Sequence, residues 1–148
     1  TIAVGCRSLL GDEERKSLNV EKYKNSIYTK SNYLFGLNSA TNAIRESNKV
    51  YVVEGYFDVI TAHQNKVKNV VATCGTALSE RQILILSRYT NNITLLFDND
   101  QAGVNGAAKM LERRKRDGIN LSIAKIPSAF KDLDEYLSKV KLKESLFG

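Results

Sequence analysis

Two stretches constrain the fold more than anything else in the chain. Lys49-Val50-Tyr51-Val52-Val53-Glu54-Gly55-Tyr56-Phe57-Asp58 and Ile93-Thr94-Leu95-Leu96-Phe97-Asp98-Asn99-Asp100-Gln101-Ala102-Gly103 are apolar, β-branched-rich runs that break off abruptly in carboxylate. Apolar runs of this kind suit strands buried on both faces of a parallel sheet. In an open α/β sheet, ligands bind in the crevice outside the carboxyl ends of the strands. Glu54, Asp98 and Asp100 are therefore expected to converge on one spot, although they are distant in sequence. Carboxylates crowded into one crevice raise one another's pKa, and a divalent cation removes that cost. Oxygen-only ligands point to magnesium or manganese. Cys6 and Cys74 form no CxxC pair and His63 is the single histidine, so no zinc site is expected. The two cysteines read as reduced, buried thiols.

Strand and helix alternate around these runs, which defines an α/β chain with a mostly parallel sheet and helices on both faces. Strands are expected over 50–53, 69–73, 93–97 and 121–126, the last ended by Pro127. Helices are expected over 56–64, over 102–116 with Gly118 as the stop, and from 134 to 140. Ser79-Glu80-Arg81-Gln82 is a capping-box signature opening a helix to about 89. Ile83, Leu84, Ile85 and Leu86 make that helix apolar on most sides, so it is expected to be largely buried. Residues 1–48 read differently. Ile2 to Arg7 and Ser8 to Leu10 are short apolar pieces, 11–20 is polar and reads as a loop, and 38–47 has helical character.

The 148 residues suffice for one domain with a proper core. No apolar run approaches the ~20 residues needed to span a bilayer. The start at Thr1, without Met and without a basic n-region, leads us to expect no signal peptide and a piece of a longer chain. Lys and Arg number 22 against 16 Asp and Glu, a net charge of +6. With the acids drawn into a metal site, the remaining surface favours a polyanion, most simply nucleic acid.

Each candidate also has an ordinary reading. Glu54 suits a solvated strand end; Gly55 after it permits close approach by a ligand. For Asp58, a first-turn acid complementing the helix dipole is at least as good an account as a ligand. Asp98 and Asp100, one residue apart in a turn, can reach one cation, and an acidic turn with an N-cap is the alternative. Asp132 and Asp134 form a second DxD beyond the last strand; alone it reads as a helix N-terminal acid cluster. Thr73-Cys74-Gly75-Thr76-Ala77 is either a phosphate cradle or a tight βα turn. Lys22, Lys24 and Lys30 interleave with Tyr23, Tyr28, Tyr33 and Phe35, a pattern able to hold phosphates and stack bases. On these residues alone, a solvated face over an aromatic core is preferred. Arg113-Arg114-Lys115-Arg116 is assigned first to the C-terminal dipole of its helix.

The ordered motifs together resemble the TOPRIM domain, shared by bacterial primases, type IA and type II topoisomerases, OLD nucleases and RecR-like proteins. Within that group they are most similar to bacterial DnaG-type primases. Val52-Val53-Glu54-Gly55-Tyr56-Phe57-Asp58-Val59-Ile60 resembles the EGYMDV segment, and Gly75-Thr76-Ala77-Leu78 the GTALT segment. Lys22-Tyr23-Lys24-Asn25-Ser26 and Lys30-Ser31-Asn32-Tyr33-Leu34-Phe35-Gly36-Leu37 resemble KYLNS and HKSxxLYGL. The chain departs from the pattern at Asn99 and Gln101, where the family has Gly and Arg. Phe130-Lys131-Asp132-Leu133-Asp134 stands for GEDPD without its Gly and Pro, and a short Pro-containing insert after Ser26 is missing.

The resemblance implies part of the RNA polymerase core of a primase. Residues 1–48 would be the C-terminal part of a mixed α+β, template-binding subdomain, 49–138 the TOPRIM domain and 139–148 the start of a helical region. It implies Glu54, Asp98 and Asp100 as catalytic, and Glu54, Asp58, Asp98, Asp100, Asp132 and Asp134 as ligands of two or more Mg2+ or Mn2+ ions. Arg7, Lys22 and Lys30 become nucleotide- and template-binding residues. Implied partners are single-stranded DNA template, ribonucleoside triphosphates, an RNA primer and, through a domain outside this chain, the replicative helicase. The implied setting is the replication fork in the cytoplasm, with no membrane. Whether such a piece is active by itself stays open. Two rivals remain: another TOPRIM enzyme, a topoisomerase or nuclease, and a non-catalytic RecR-like DNA-binding scaffold.

Overall fold

The structure is a computed structural model, and it describes residues 2–75, 77–97, 118–130 and 133–140. Four strands form one parallel sheet in the order β4-β3-β5-β6: β3 Val50–Val53, β4 Val70–Ala72, β5 Asn92–Phe97 and β6 Asn120–Lys125. The described helices packed on it are α2 Leu37–Ser47 before β3, α3 Tyr56–Gln64 and α4 Glu80–Leu86 between strands, and α5 Leu133–Lys139 after β6. Ahead of the sheet, β1 Gly5–Arg7 and β2 Tyr23–Asn25 pair antiparallel, with Cys6 opposite Lys24.

The sheet is buried on both faces, and its side chains alternate between two cores. Val50, Val52, Val71, Ile93, Leu95 and Leu121 face Ala40 and Ile44 of α2 and Ile83 and Leu86 of α4. Tyr51, Val53, Val70, Ala72 and Leu96 face Val59 and Ala62 of α3 and Leu133, Tyr136 and Leu137 of α5. This explains why the two founding runs show no polar alternation: each face needs apolar residues.

The entering end of the sheet is tied by asparagines. The Asn48 side chain accepts from Thr90 Oγ1 (3.0 Å), and its carbonyl accepts from Asn92 Nδ2 (2.9 Å). Asn69 Nδ2 donates to the Lys49 carbonyl (3.0 Å) and Asn120 Nδ2 to Asn92 Oδ1 (3.2 Å). Neutral amides therefore tie this end, while Glu54 and Asp58 lie at the other. The outer edge of β4 is covered too. Phe35 and Ala72 exchange backbone hydrogen bonds of 2.9 and 3.0 Å, so the segment before α2 shields an otherwise open strand edge.

The expected elements are present within a residue or two, with four differences. Residues 12–17, expected as loop, form helix α1 Asp12–Ser17 with no buried residue. Its acids lie in the first turn and its bases in the last, which suits the dipole without a hydrophobic stripe, and an Asp12–Arg15 ion pair adds to this. Helix α4 ends at Leu86 rather than near 89, because Tyr89 and Thr90 turn back onto the Leu86 carbonyl. Leu84 is 57% exposed, so α4 has a solvent face after all. Of the two free cysteines, Cys74 is buried as expected, whereas Cys6 is exposed on the hairpin. The helix expected over 102–116 lies outside the described residues.

Gly36 joins the shielding segment to α2 at φ +80°, and a Cβ there would stand 2.7 Å from Val59 Cγ1. Gly36→Ala is expected to cost about 2 kcal/mol or more, from left-handed backbone strain plus the clash. Urea unfolding checks this, and an unchanged midpoint would show that the junction carries no strain.

Candidate metal centre and nucleic-acid face

Strands β3 and β5 are neighbours in parallel register, Val52 opposite Leu95, so both leave the sheet at the same end. Glu54 follows β3 directly and is exposed. Its position is held by its backbone: the Gly75 N–H donates to the Glu54 carbonyl (3.1 Å), just as the Thr73 N–H donates to Val53 (3.1 Å). The loops after β3 and β4 are thus laced together. Cys74 and Gly75 both take left-handed backbone angles, +66° and +79°, turning the chain sharply out of β4. The chain therefore turns tightly at 73–75, and residue 76 lies outside the described residues.

Asp58 lies one turn into α3, half-buried, and its Oδ2 accepts from the Gly55 N–H at 3.1 Å. A Cβ on Gly55 would stand 2.6 Å from that oxygen, so a larger residue there would push the Asp58 carboxylate off the Gly55 N–H. Glu54 and Asp58 therefore share one helix start. Asp58 stands in the first turn of α3, where the dipole reading expected it, and its carboxylate also accepts the Gly55 N–H at the helix start.

Asp98, Asp100 and Asp132 lie outside the described residues. Their attachment points are described: β5 runs to Phe97, immediately before Asp98, and α5 begins at Leu133. Asp134 belongs to the first turn of α5, the helix that shares a core with α3. Among the described residues no three His, Cys, Asp or Glu side chains come together as a metal-ligand group; carboxylates such as Glu54 and Asp58 are the ligand type that suits a hard divalent cation.

The cationic side is built by the hairpin. The Arg7 guanidinium lies 4.8 Å from the centroid of the Phe57 ring and 5.9 Å from that of Tyr23, which pins the hairpin to the first turn of α3. Lys22 is exposed, and its carbonyl accepts from the Ser8 N–H (2.9 Å). Tyr56 Oη donates to Asn25 Oδ1 (3.1 Å) and lies 3.2 Å from Tyr28 Oη, while the Phe35 ring meets it edge-on at 4.9 Å. Burial pushes the pKa of Tyr28 and Tyr56 up, so both hydroxyls stay protonated and able to donate. A cavity of about 760 Å³ opens between hairpin and helix, walled by Tyr23, Tyr28, Tyr33, Phe35 and Tyr56, with Arg7 at its side. Lys30 is half-buried in a 3-10 turn, Lys30–Asn32, whose carbonyls are gripped by α4.

Sequence reading missed the fasteners Asn25, Tyr56 and Gln82. Tyr56 and Asn25 stood inside the quoted motifs, but nothing local to either motif signalled that the two meet.

An α/β protein with a parallel sheet, Glu54 at the end of β3 and Asp58 in the helix that follows, is the class that the described residues define. Within it, the chain belongs to the Toprim-like family, whose sequence profile matches residues 51–137. It is 39% identical over 144 residues, 93% of this chain, to a DNA primase of Synechococcus elongatus, and spans 20% of that relative's length. Its fold matches the zinc-binding and RNA polymerase domains of the Aquifex aeolicus primase with a TM-score of 0.80 and 30% identity, covering 97% of this chain and 35% of that one. It matches a DnaG primase catalytic domain bound to single-stranded DNA with a TM-score of 0.79 and 33% identity, covering 97% of this chain and 46% of that one.

Tyr56→Phe removes the donor to Asn25 and is expected to cost about 1 kcal/mol. Amide exchange should quicken at Ser8 and Ser26, which bond across the hairpin, and stay slow at Val52. Uniform quickening would show that the hairpin is not separately fastened.

Proposed function

We propose that this chain is the metal-binding heart of a DNA primase, joining ribonucleotides on a single-stranded DNA template. The observation that carries the reading is the reach of the likeness. The Toprim-like profile stops at 51–137, whereas the likeness to the Synechococcus elongatus and Aquifex aeolicus primases takes in 93% and 97% of the chain. It therefore includes the hairpin, the Lys30 turn and α2, which a topoisomerase, nuclease or RecR-like scaffold has no reason to share.

In this reading residues 1–48 grip template and nucleotide, 49–138 hold metal, and 139–148 lead into a helical region. The boundary separates roles rather than folding units, because Leu34, Ala40 and Ile44 lie in the sheet's own core. Glu54, Asp98 and Asp100 would hold divalent magnesium or manganese, with Asp58, Asp132 and Asp134 completing the acidic rim. Bound there, the cations would make the primer 3′-hydroxyl easier to deprotonate and offset the charge of departing pyrophosphate. The protein's own part is positioning. Gly75 fixes the Glu54 backbone, and Asp58 fixes the start of α3. Arg7 and Lys22 would hold template phosphates, a grip that weakens with salt. Lys30 would neutralise the triphosphate. Ribonucleoside triphosphates, an RNA primer and, through a domain outside this chain, the replicative helicase are the proposed partners. The proposed setting is the cytoplasmic replication fork. Among the described residues no helix is long and apolar enough to cross a membrane.

Manganese titration of the wild type and Asp98→Asn by calorimetry tests the reading. Binding by the wild type and its loss in the variant are expected, together with primer synthesis at least about a hundredfold slower in a longer chain carrying the variant. Equal manganese binding by the two proteins, or an unimpaired primer yield, would sink it.

A further inference from the structure

Gln82 is fully buried, a polar side chain enclosed at the start of α4. A capping box explains half of its bonds. Its Oε1 accepts from the Ser79 N–H (2.9 Å), and its own N–H donates to Ser79 Oγ (3.1 Å). The other half leaves the helix. Gln82 Nε2 donates to the Tyr33 carbonyl (2.6 Å) and the Lys30 carbonyl (3.2 Å), across nearly fifty residues of sequence. Ser79 Oγ donates to the Ser31 carbonyl (2.6 Å) between them. Three carbonyls of one short turn thus end on two side chains of one helix cap. A cap needs only acceptors, so three donated bonds are surplus to capping.

That turn carries Lys30, and Tyr33 at its end leads into Phe35, which bonds the edge of β4. We propose that Gln82, aided by Ser79, is a positioning residue that fixes the Lys30 turn against α4 and so sets where the Lys30 ammonium group meets a nucleoside triphosphate. The inference rests on the role given to Lys30 above. A buried primary amide suits the task because one group supplies both the acceptor for the cap and two donors for the turn. Stripped of those donors, the Tyr33 carbonyl would lose its bond from Gln82 and the Lys30 carbonyl would keep only the Tyr33 N–H, and the turn would open to reach water.

The test measures ATP binding to this chain in the presence of manganese, by calorimetry, across a double-mutant cycle. Gln82→Glu keeps the shape and the cap acceptor but replaces the donating amine by oxygen. It is expected to weaken ATP binding roughly tenfold, the scale of losing one well-placed charged contact. Lys30→Ala should weaken it by a similar factor, and the double variant by no more than either alone, since Gln82 acts through Lys30. Ser79→Asp retains a good N-cap acceptor yet cannot donate to Ser31; it should weaken ATP binding while α4 keeps its amide protection, and it carries the same cycle if Gln82→Glu does not fold. ATP binding unchanged in both cap variants, or a loss that is just as large on the Lys30→Ala background, would overturn the positioning role and leave Lys30's role standing. An unchanged affinity in Lys30→Ala would overturn both.

Discussion

Because β3 and β5 are the middle strands of a parallel sheet, their side chains must be covered on both faces, and most of the molecule follows from that demand. Four strands supply two apolar surfaces, and among the described residues α2 and α4 cover one and α3 and α5 the other. A parallel sheet also has unlike ends, since every strand leaves at the same one. The chain uses this asymmetry chemically. Asparagine amides close the entering end, where neutral groups can satisfy backbone carbonyls without adding charge. The leaving end keeps Glu54 and Asp58, and β5 delivers the chain to Asp98 on the strand next to β3.

Glu54 and Asp58 stand together at one helix start in a chain of net charge +6. Cations placed directly against them would neutralise them. The hairpin is instead fastened by aromatic and hydroxyl contacts. Arg7 lies against Phe57 and Tyr23, Tyr56 bonds Asn25, and Phe35 packs edge-on to Tyr56. These contacts keep positive charge close to the acidic helix start while the join itself is made by rings and hydroxyls. The two residues after Gly55 serve this purpose: Tyr56 and Phe57 hold the hairpin, and Asp58 holds the helix.

What was legible in the sequence follows the range of the forces involved. Val50–Val53 and Asn92–Phe97 announced themselves because double burial writes an unbroken apolar run. The capping box at Ser79 was legible because its partners are three residues apart. Helix α1 was not, since it buries nothing and leaves no apolar period; only Asp12, Glu13 and Glu14 before Arg15 and Lys16 betrayed it. Exposure of Leu84 was invisible for the opposite reason, as four apolar residues in a row do not say which of them faces water. The site divides the same way. Glu54 and Asp58 were found as motif letters, whereas the Tyr56–Asn25 bond and the grip of Gln82 on Lys30 and Tyr33 join distant segments.

The match to the Toprim-like profile begins at residue 51, yet the physical unit begins earlier. Leu34, Ala40 and Ile44 share a core with Val50, Val52, Val71 and Ile83, and Phe35 closes the edge of β4. Burying Leu34 and Ile44 alone is worth roughly 2 kcal/mol each, a large share of the ~5–15 kcal/mol by which a domain of this kind is stable. The segment 34–47 therefore does two things at once. It completes the hydrophobic cover that lets the sheet exist, and it ties the Lys30 turn to that sheet. A sheet whose own cover is supplied by the segment ahead of it cannot drift relative to that segment without losing stability. This coupling explains why the likeness to primases runs past the family boundary into the residues ahead of it.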